Sequence, residues 1–373
     1  MRFILLAVLL AWGGMPAAAQ PAGETALDVK VMARGLEHPW SLAFLPDGRM
    51  LVTERPGRLR LIERDGRVRP ALSGVPTVAA TGQGGLLDIA LDPAFSENRL
   101  IYLSFAERRG GDTNATAVYR ARLNQAATGL EAGQVIFRQE PAFASRLHFG
   151  SRLVFDRSGA LFVTMGERFQ LPNESQNAAN TIGKIARVTT AGAPAPGNPG
   201  AGRDGWAPAV WSIGHRNVQG AALHPATGEL WITNHGPRGG DGLYVVRAGR
   251  NYGWPLISYG THYDGRPVNG GARSAPGLEQ PLVHWTPSIA PSGLTFYTGD
   301  LFPAWRGNLI SGALAGQMLV RIELDGERVV AQHRLLTEFG QRFRDVRQGP
   351  DGALWALTDA ADGQLVTIRP RGR

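Results

Sequence analysis

Six times along the chain a short apolar run is broken by a turn rich in Pro, Asp or Gly and followed by a second apolar run. The stretches begin at Ser41 (SLAFLPDGRMLVTE), Leu87 (LDIALDPAFSENRLIYLSF), Ser151 (SRLVFDRSGALFVTMGE), Gly220 (GAALHPATGELWITNHG), Ser292 (SGLTFYTGDLFPAWRGNLISG) and Val346 (VRQGPDGALWALTD). Alternating apolar runs flanking a turn predict a β-hairpin in each. The units start about 45 to 75 residues apart, at or above the ~40–50 of propeller repeats. The excess reads as loops inserted on one face. Four strands per unit, arranged in a ring, limit the exposed edges of a sheet protein. The pattern predicts an all-β chain, a six-bladed β-propeller of four-stranded antiparallel blades, forming one domain over residues 20–373. Length alone gives a prior of about two domains. The Pro/Gly-rich stretch at 191–205 falls inside the repeat series and reads as a long loop, not a linker.

The first residues break this pattern. One arginine, an apolar run over residues 3–12 and the small residues before Gln20 predict a secretory signal at 1–19, cleaved after Ala19. No stretch reaches the eighteen or more apolar residues that a transmembrane helix needs. The expectation is a soluble periplasmic protein without integral membrane association.

Composition narrows the chemistry. There is no cysteine, which excludes disulfides, thiolate metal sites and cysteine nucleophiles. The net charge is +8, but the basic residues are dispersed rather than gathered into stripes, so no nucleic-acid partner is expected. Lys30 and Lys184 are the only lysines; arginine is the default cation, and no single arginine is evidence of a site. The chain lacks GxGxxG after a strand, a P-loop, HExxH and GxSxG, the usual signatures of nicotinamide, phosphate, zincin and serine-hydrolase chemistry.

Four polar clusters remain, each at a strand end. His148 in HFGSRLVF can serve as a general base near neutral pH; a lone histidine is more often structural. Residues 212–220, SIGHRNVQG, gather His215, Arg216, Asn217 and Gln219 between apolar segments. Arg216 can fork onto a carboxylate and the amides can donate or accept beside it, although such groups also cap turns. Arg342 and Arg344, two apart in GQRFRDV, fall on one face of a strand and can clamp an anion. NHGPRGGDG is a turn whose carbonyls suit a hard cation such as calcium.

In order along the chain, GQGGLLDIALDP, HFGSRLVF, IGHRNVQG, GPRGGDGLYVVRAGRNYGWP and QRFRDVRQGPDGALWALTD resemble the soluble quinoprotein sugar dehydrogenases. This is the glucose/sorbosone dehydrogenase family, and the likeness is closest to its bacterial aldose sugar dehydrogenase branch. It runs from about residue 28 to the C-terminus. The resemblance implies a six-bladed propeller that holds pyrroloquinoline quinone (PQQ) and calcium and oxidises the anomeric carbon of aldose sugars to the lactone. A soluble acceptor would take the electrons. It implies His148 as catalytic base, Gln83 beside sugar and cofactor, and Arg216, Asn217, Arg342 and Arg344 as cofactor contacts, with His148 and Gln83 also touching the cofactor. The carbonyls of Gly236 and Pro237 would hold calcium.

Three positions depart from the family pattern. Ala315 in SGALAGQ stands where a cofactor-binding lysine is usual. Glu167 replaces an aspartate that supports the catalytic histidine. Gly242 replaces a glutamate that in some relatives joins the tyrosine of NYGWP, Tyr252 here, at a second calcium. Two other readings of a six-bladed propeller stay open at this point: a calcium-dependent lactone hydrolase and a non-catalytic carbohydrate-binding propeller.

Overall fold

A computed structural model describes residues 26–372 of the 373. The proposed signal at 1–19 lies outside them. The described residues form six four-stranded antiparallel sheets, the blades of a propeller. Blades one to five each take four consecutive strands. Their first strands are Pro39–Phe44, Leu86–Leu91, Leu153–Phe155, Val218–Leu223 and Pro291–Phe296. Blade six begins with Phe343–Gln348, continues through Leu354–Thr358 and Gly363–Pro370, and takes its outermost strand, Leu27–Leu36, from the other end of the chain. That strand runs antiparallel to Gly363–Pro370, with Leu27 opposite Pro370 and Leu36 opposite Gly363, so hydrogen bonds close the ring. The hairpin series alone did not reveal this closure, because the closing strand has no turn partner beside it in sequence.

All six sequence hairpins are present as the first two strands of a blade. Their burial differs from simple alternation. Met50–Glu54, Leu161–Thr164, Leu230–Asn234, Leu309–Ala313 and Leu354–Thr358 are buried at every position. A blade packs another blade on each face, so both sides of its second strand need apolar or internally paired side chains. The 191–205 stretch lies between the last two strands of blade three, Ile185–Val188 and Val210–Ser212, and is a loop as expected.

The core is correspondingly divided into layers between blades. Leu51, Leu59 and Leu61 of blade one meet Ile89, Leu103 and Phe105 of blade two; Ile310 and Leu319 of blade five meet Val346 and Leu354 of blade six. Leu36 and Leu365 of blade six meet Leu42 and Val52 of blade one, which makes the closing strand part of two layers. Burying such side chains stabilises by about 1.5–3 kcal/mol each.

The innermost strands contact one another around the central channel. Part way along it the chain buries an ion cluster, beyond which the first strands of all six blades line a second cavity of about 460 Å³. Arg152, fully buried, lies 3.2 Å from Asp88 and 3.0 Å from Asp345. Its Nε donates to the Gln219 carbonyl at 2.7 Å, and its guanidinium lies 4.1 Å from the Trp40 ring centre. Arg347 bridges the same two aspartates from the other side, and Ser41 Oγ donates to Asp88. Blades one, two, three, four and six are thereby tied at the axis, beneath the mouth that the next section describes.

Candidate active site

In an antiparallel blade the start of the first strand and the end of the second lie at the same end. Six blades therefore present twelve strand ends to one mouth of the channel. A cavity of about 200 Å³ opens there, lined among others by Gln83, Asn217, Gln219, Arg342 and Arg344. The residue directly after the second strand contributes from four blades: Arg55, His235, Leu314 and Asp359. Of these the sequence reading singled out none. The signal that finds them is positional, the first residue beyond each apolar run, and it becomes legible once the blades are aligned.

His148 sits at this mouth, just before the first strand of blade three. It is buried, and its Nδ1 lies 2.8 Å from Glu167 Oε1. A carboxylate oxygen only accepts, so Nδ1 carries the proton and Nε2 keeps a lone pair. Burial is the largest influence on its titration and pushes it below the ordinary 6.5; the Glu167 bond opposes this, and the nearby Arg216 charge adds to it. The backbone N–H of His148 donates to Gln83 Oε1 at 2.8 Å. Glu167, although longer than aspartate, thus reaches the histidine directly.

The backbone is built to hold this loop. His148 has φ of 53°, and Arg168 and Phe169 have φ of 64° and 68°, left-handed conformations that side chains other than glycine rarely adopt. Gly166 is required opposite: a Cβ there would stand 2.1 Å from the His148 carbonyl oxygen. Arg168, fully buried, donates to Asn114 and to the Ser145 carbonyl and lies 3.8 Å from the Phe149 ring centre. Desolvation lowers it to about 9, so it stays charged at neutral pH. Phe169 then places its ring edge-on to His148, with centres 5.2 Å apart.

Residues 212–220 prove to be the stitching of the mouth. His215 is a core residue: Nε2 bonds Ser212 Oγ at 2.8 Å and the ring stacks on Tyr252 at 4.7 Å. Arg216 lies between the rings of Trp254 and Tyr263, 5.2 and 6.0 Å from their centres, with Nε 4.0 Å from Glu167. Its Nη1 donates to the Gly236 carbonyl at 2.6 Å. Asn217 Oδ1 accepts from the Gly150 N–H at 3.0 Å. Gln219 Oε1 accepts from Arg344 Nη1 at 2.9 Å, which joins blade four to blade six. Arg342 and Arg344 do share a face: both approach Asp359 Oδ2, at 3.5 and 2.8 Å. Asp359 remains ionised, since Arg344 and the neighbouring cations outweigh its burial.

Gly236 and Pro237 lie in one tight loop, where a Cβ on Gly236 would meet the Gly239 carbonyl oxygen at 2.2 Å. Tyr252 does not offer a side-chain ligand. Its hydroxyl donates to the Val245 carbonyl and accepts from the Arg247 N–H, both at 2.8 Å, so the phenol is committed to the core of blade four. At Gly242, the Tyr244 ring comes within 2.6 Å of where a Cβ would stand and fills the space that a glutamate would need. Ala315 is exposed and follows Leu314, which lines the cavity.

Glu167 Oε2, Arg216 Nε and Arg344 Nε are buried without a hydrogen-bond partner. Buried polar groups are normally satisfied, and two donors plus one acceptor left open at one mouth mark a place for a polar ligand.

Comparison with known proteins agrees with this geometry. The glucose/sorbosone dehydrogenase family model matches residues 36–367. The chain is 42% identical over 352 residues to the aldose sugar dehydrogenase YliI of Escherichia coli (strain K12), covering 94% of this chain and 95% of that one. It is similar to a crystal structure of a glucose dehydrogenase, with 49% identity, a TM-score of 0.89, and 91% and 99% of the two chains covered. It is also similar to the PQQ-bound aldose sugar dehydrogenase of Streptomyces coelicolor, with 29% identity, a TM-score of 0.75, and 93% and 100% covered. With a family model spanning nearly all of the propeller and a close relative matched end to end, this chain belongs to the glucose/sorbosone dehydrogenase family.

Proposed function

We propose that this protein oxidises aldose sugars at C1 to the lactone, with PQQ and calcium as cofactors and a soluble acceptor for the electrons, in the periplasm after removal of residues 1–19. The observation that carries the reading is a neutral histidine, oriented by Glu167, beside a cavity that presents three arginines and the single carboxylate of Asp359. Such a lining favours an anionic occupant, which suits a planar tricarboxylate better than a neutral lactone.

The residues present fit both groups. Arg344 and Arg216 have unpartnered buried N–H groups, the donors that carboxylate and quinone oxygens need. Gln83 uses Oε1 on the His148 N–H, and its amide N–H₂ is left to donate. Gly236 O spends one lone pair on Arg216 and keeps one, and backbone carbonyls are suitable oxygen donors for calcium; Gly236 and Pro237 would hold it. When bound, the quinone supplies the two-electron acceptor and calcium the Lewis acid that polarises it. The chain's own work is proton handling and placement. His148 Nε2 takes the proton of the sugar C1 hydroxyl, and Glu167 balances the imidazolium that results. Phe169 packs edge-on to His148, and Trp254 and Tyr263 hold the Arg216 guanidinium beside it.

Reconstitution with PQQ and calcium tests the reading. Dye reduction driven by aldoses, without hydrolysis of lactones in a pH-stat, is the expected result. Lactone hydrolysis without aldose-driven reduction would replace it with the hydrolase reading.

A further inference from the structure

The mouth lacks one cation that the family resemblance leads one to expect, because Ala315 stands in the place of a lysine and carries no charge. The arginines around the cavity are not equally free to take its place. Arg344 spends both Nη groups on Gln219 and Asp359 and keeps only Nε. Arg342 reaches Asp359 and the Leu314 carbonyl. Arg55 lines the same cavity, is half-buried, and makes no side-chain hydrogen bond or ion pair among the described residues.

Asp359 feels the Arg55 charge, but that carboxylate is already paired with Arg342 and Arg344, so the Arg55 guanidinium keeps its N–H groups for another acceptor. Its position is fixed by the fold: Arg55 directly follows the second strand of blade one, Met50–Glu54, as Leu314 follows that of blade five, Leu309–Ala313. Its backbone is held by two hydrogen bonds, its N–H to the His38 carbonyl and the Leu86 N–H to its carbonyl. Gly85 allows the close approach, since a Cβ there would stand 2.6 Å from Arg55 Cγ. The ring therefore presents, one blade beyond Asp359, a cation held in place whose N–H groups are not hydrogen-bonded and whose charge only assists the pairing of Asp359 with Arg342 and Arg344.

We propose that Arg55 is a cofactor-binding residue, the guanidinium that takes a PQQ carboxylate in the site where Ala315 has removed the amine. This rests on the PQQ reading above. An arginine fork can hold a carboxylate through two N–H groups, where an ammonium acts as a point charge. The contact is thus carried by blade one instead of blade five.

The test is a PQQ titration of the apoprotein at saturating calcium, followed by quenching of tryptophan fluorescence and needing no turnover. Arg55→Gln is expected to weaken the apparent Kd at least about tenfold and to leave the thermal midpoint of the apoprotein unchanged. Arg55→Lys should fall between wild type and Arg55→Gln. Adding Ala315→Lys to Arg55→Gln should recover part of the loss. Arg64→Gln, away from the cavity, should titrate like wild type. An Arg55→Gln protein that binds PQQ as wild type does overturns the assignment and leaves the PQQ reading intact. A wild-type protein that takes up no PQQ overturns both. Should Arg55→Gln fail to fold, Arg55→Lys decides: an unchanged Kd and no gain from Ala315→Lys would reject the proposal.

Discussion

At the scale of single residues, the proposed chemistry turns on keeping His148 neutral and correctly oriented. Base function needs the unprotonated ring, and burial holds its titration below 6.5. The kcat/KM of the reconstituted enzyme should therefore stay flat as pH falls through 6.5 and decline only below it. In Glu167→Gln the charge that favours the imidazolium is gone, so the acid limb should move to still lower pH while turnover drops; a pH profile identical to wild type would contradict the pairing. Gly242 yields a second residue-scale prediction. Because the Tyr244 ring occupies the needed space, Gly242→Glu should cost about 1–3 kcal/mol by overpacking, read from the denaturation midpoint, and should add no bound calcium by metal analysis. Candidate site residues such as His148, Arg216 and Asn217 were legible because they sit in short motifs of unusual polarity. Arg55, His235 and Asp359 were not, because nothing local marks them; only the alignment of blades brings them to one mouth. The metal role suggested for Tyr252 came from its motif, which does not say which atom would serve; the hydroxyl is committed inside blade four, and only the backbone carbonyl is left for such a role.

At the scale of elements, the hairpins were readable and the closure was not. Each hairpin combines two apolar runs with a turn in a short window, a signal local enough to see. The pairing of Leu27–Leu36 with Gly363–Pro370 spans the whole chain and leaves no local trace. It should nonetheless govern integrity. A chain lacking residues 1–36 leaves the edge of blade six unpaired and removes Leu36 from its layer against blade one. Unpaired edges pair with other chains, so this truncation is expected to aggregate in size-exclusion chromatography, where the chain beginning at Gln20 elutes as a discrete species. The axial ion cluster is a second feature that sequence concealed, since Arg152, Asp88 and Asp345 lie in three different blades and meet only in space. Arg152→Leu removes one partner and leaves two buried aspartates to Arg347 alone. Breaking a buried pair costs about 3–5 kcal/mol, and urea denaturation of the apoprotein should show a loss of that order.

At the scale of the whole molecule, the propeller explains how residues from distant parts of the sequence form one site: strand ends from six blades converge on one mouth, above a cluster of paired ions. No helix among the described residues is long and apolar enough to cross a membrane. Under the proposed function the labour divides along this layout, with blade three supplying the proton acceptor and blades one, two, four and six polar groups of the cavity. In the proposed mechanism His148 moves a proton during oxidation of a sugar and does not merely shape the cavity. Single-turnover mixing of the PQQ- and calcium-loaded protein with an aldose, without an external acceptor, tests it most directly. Wild type should reduce its bound cofactor in proportion to the protein present. His148→Gln, loaded to the same degree, should do so slower by about 10²–10⁴. Reduction at the wild-type rate in His148→Gln would remove the histidine's role as base, and no reduction by any aldose in a fully loaded wild type would remove the sugar-oxidising function.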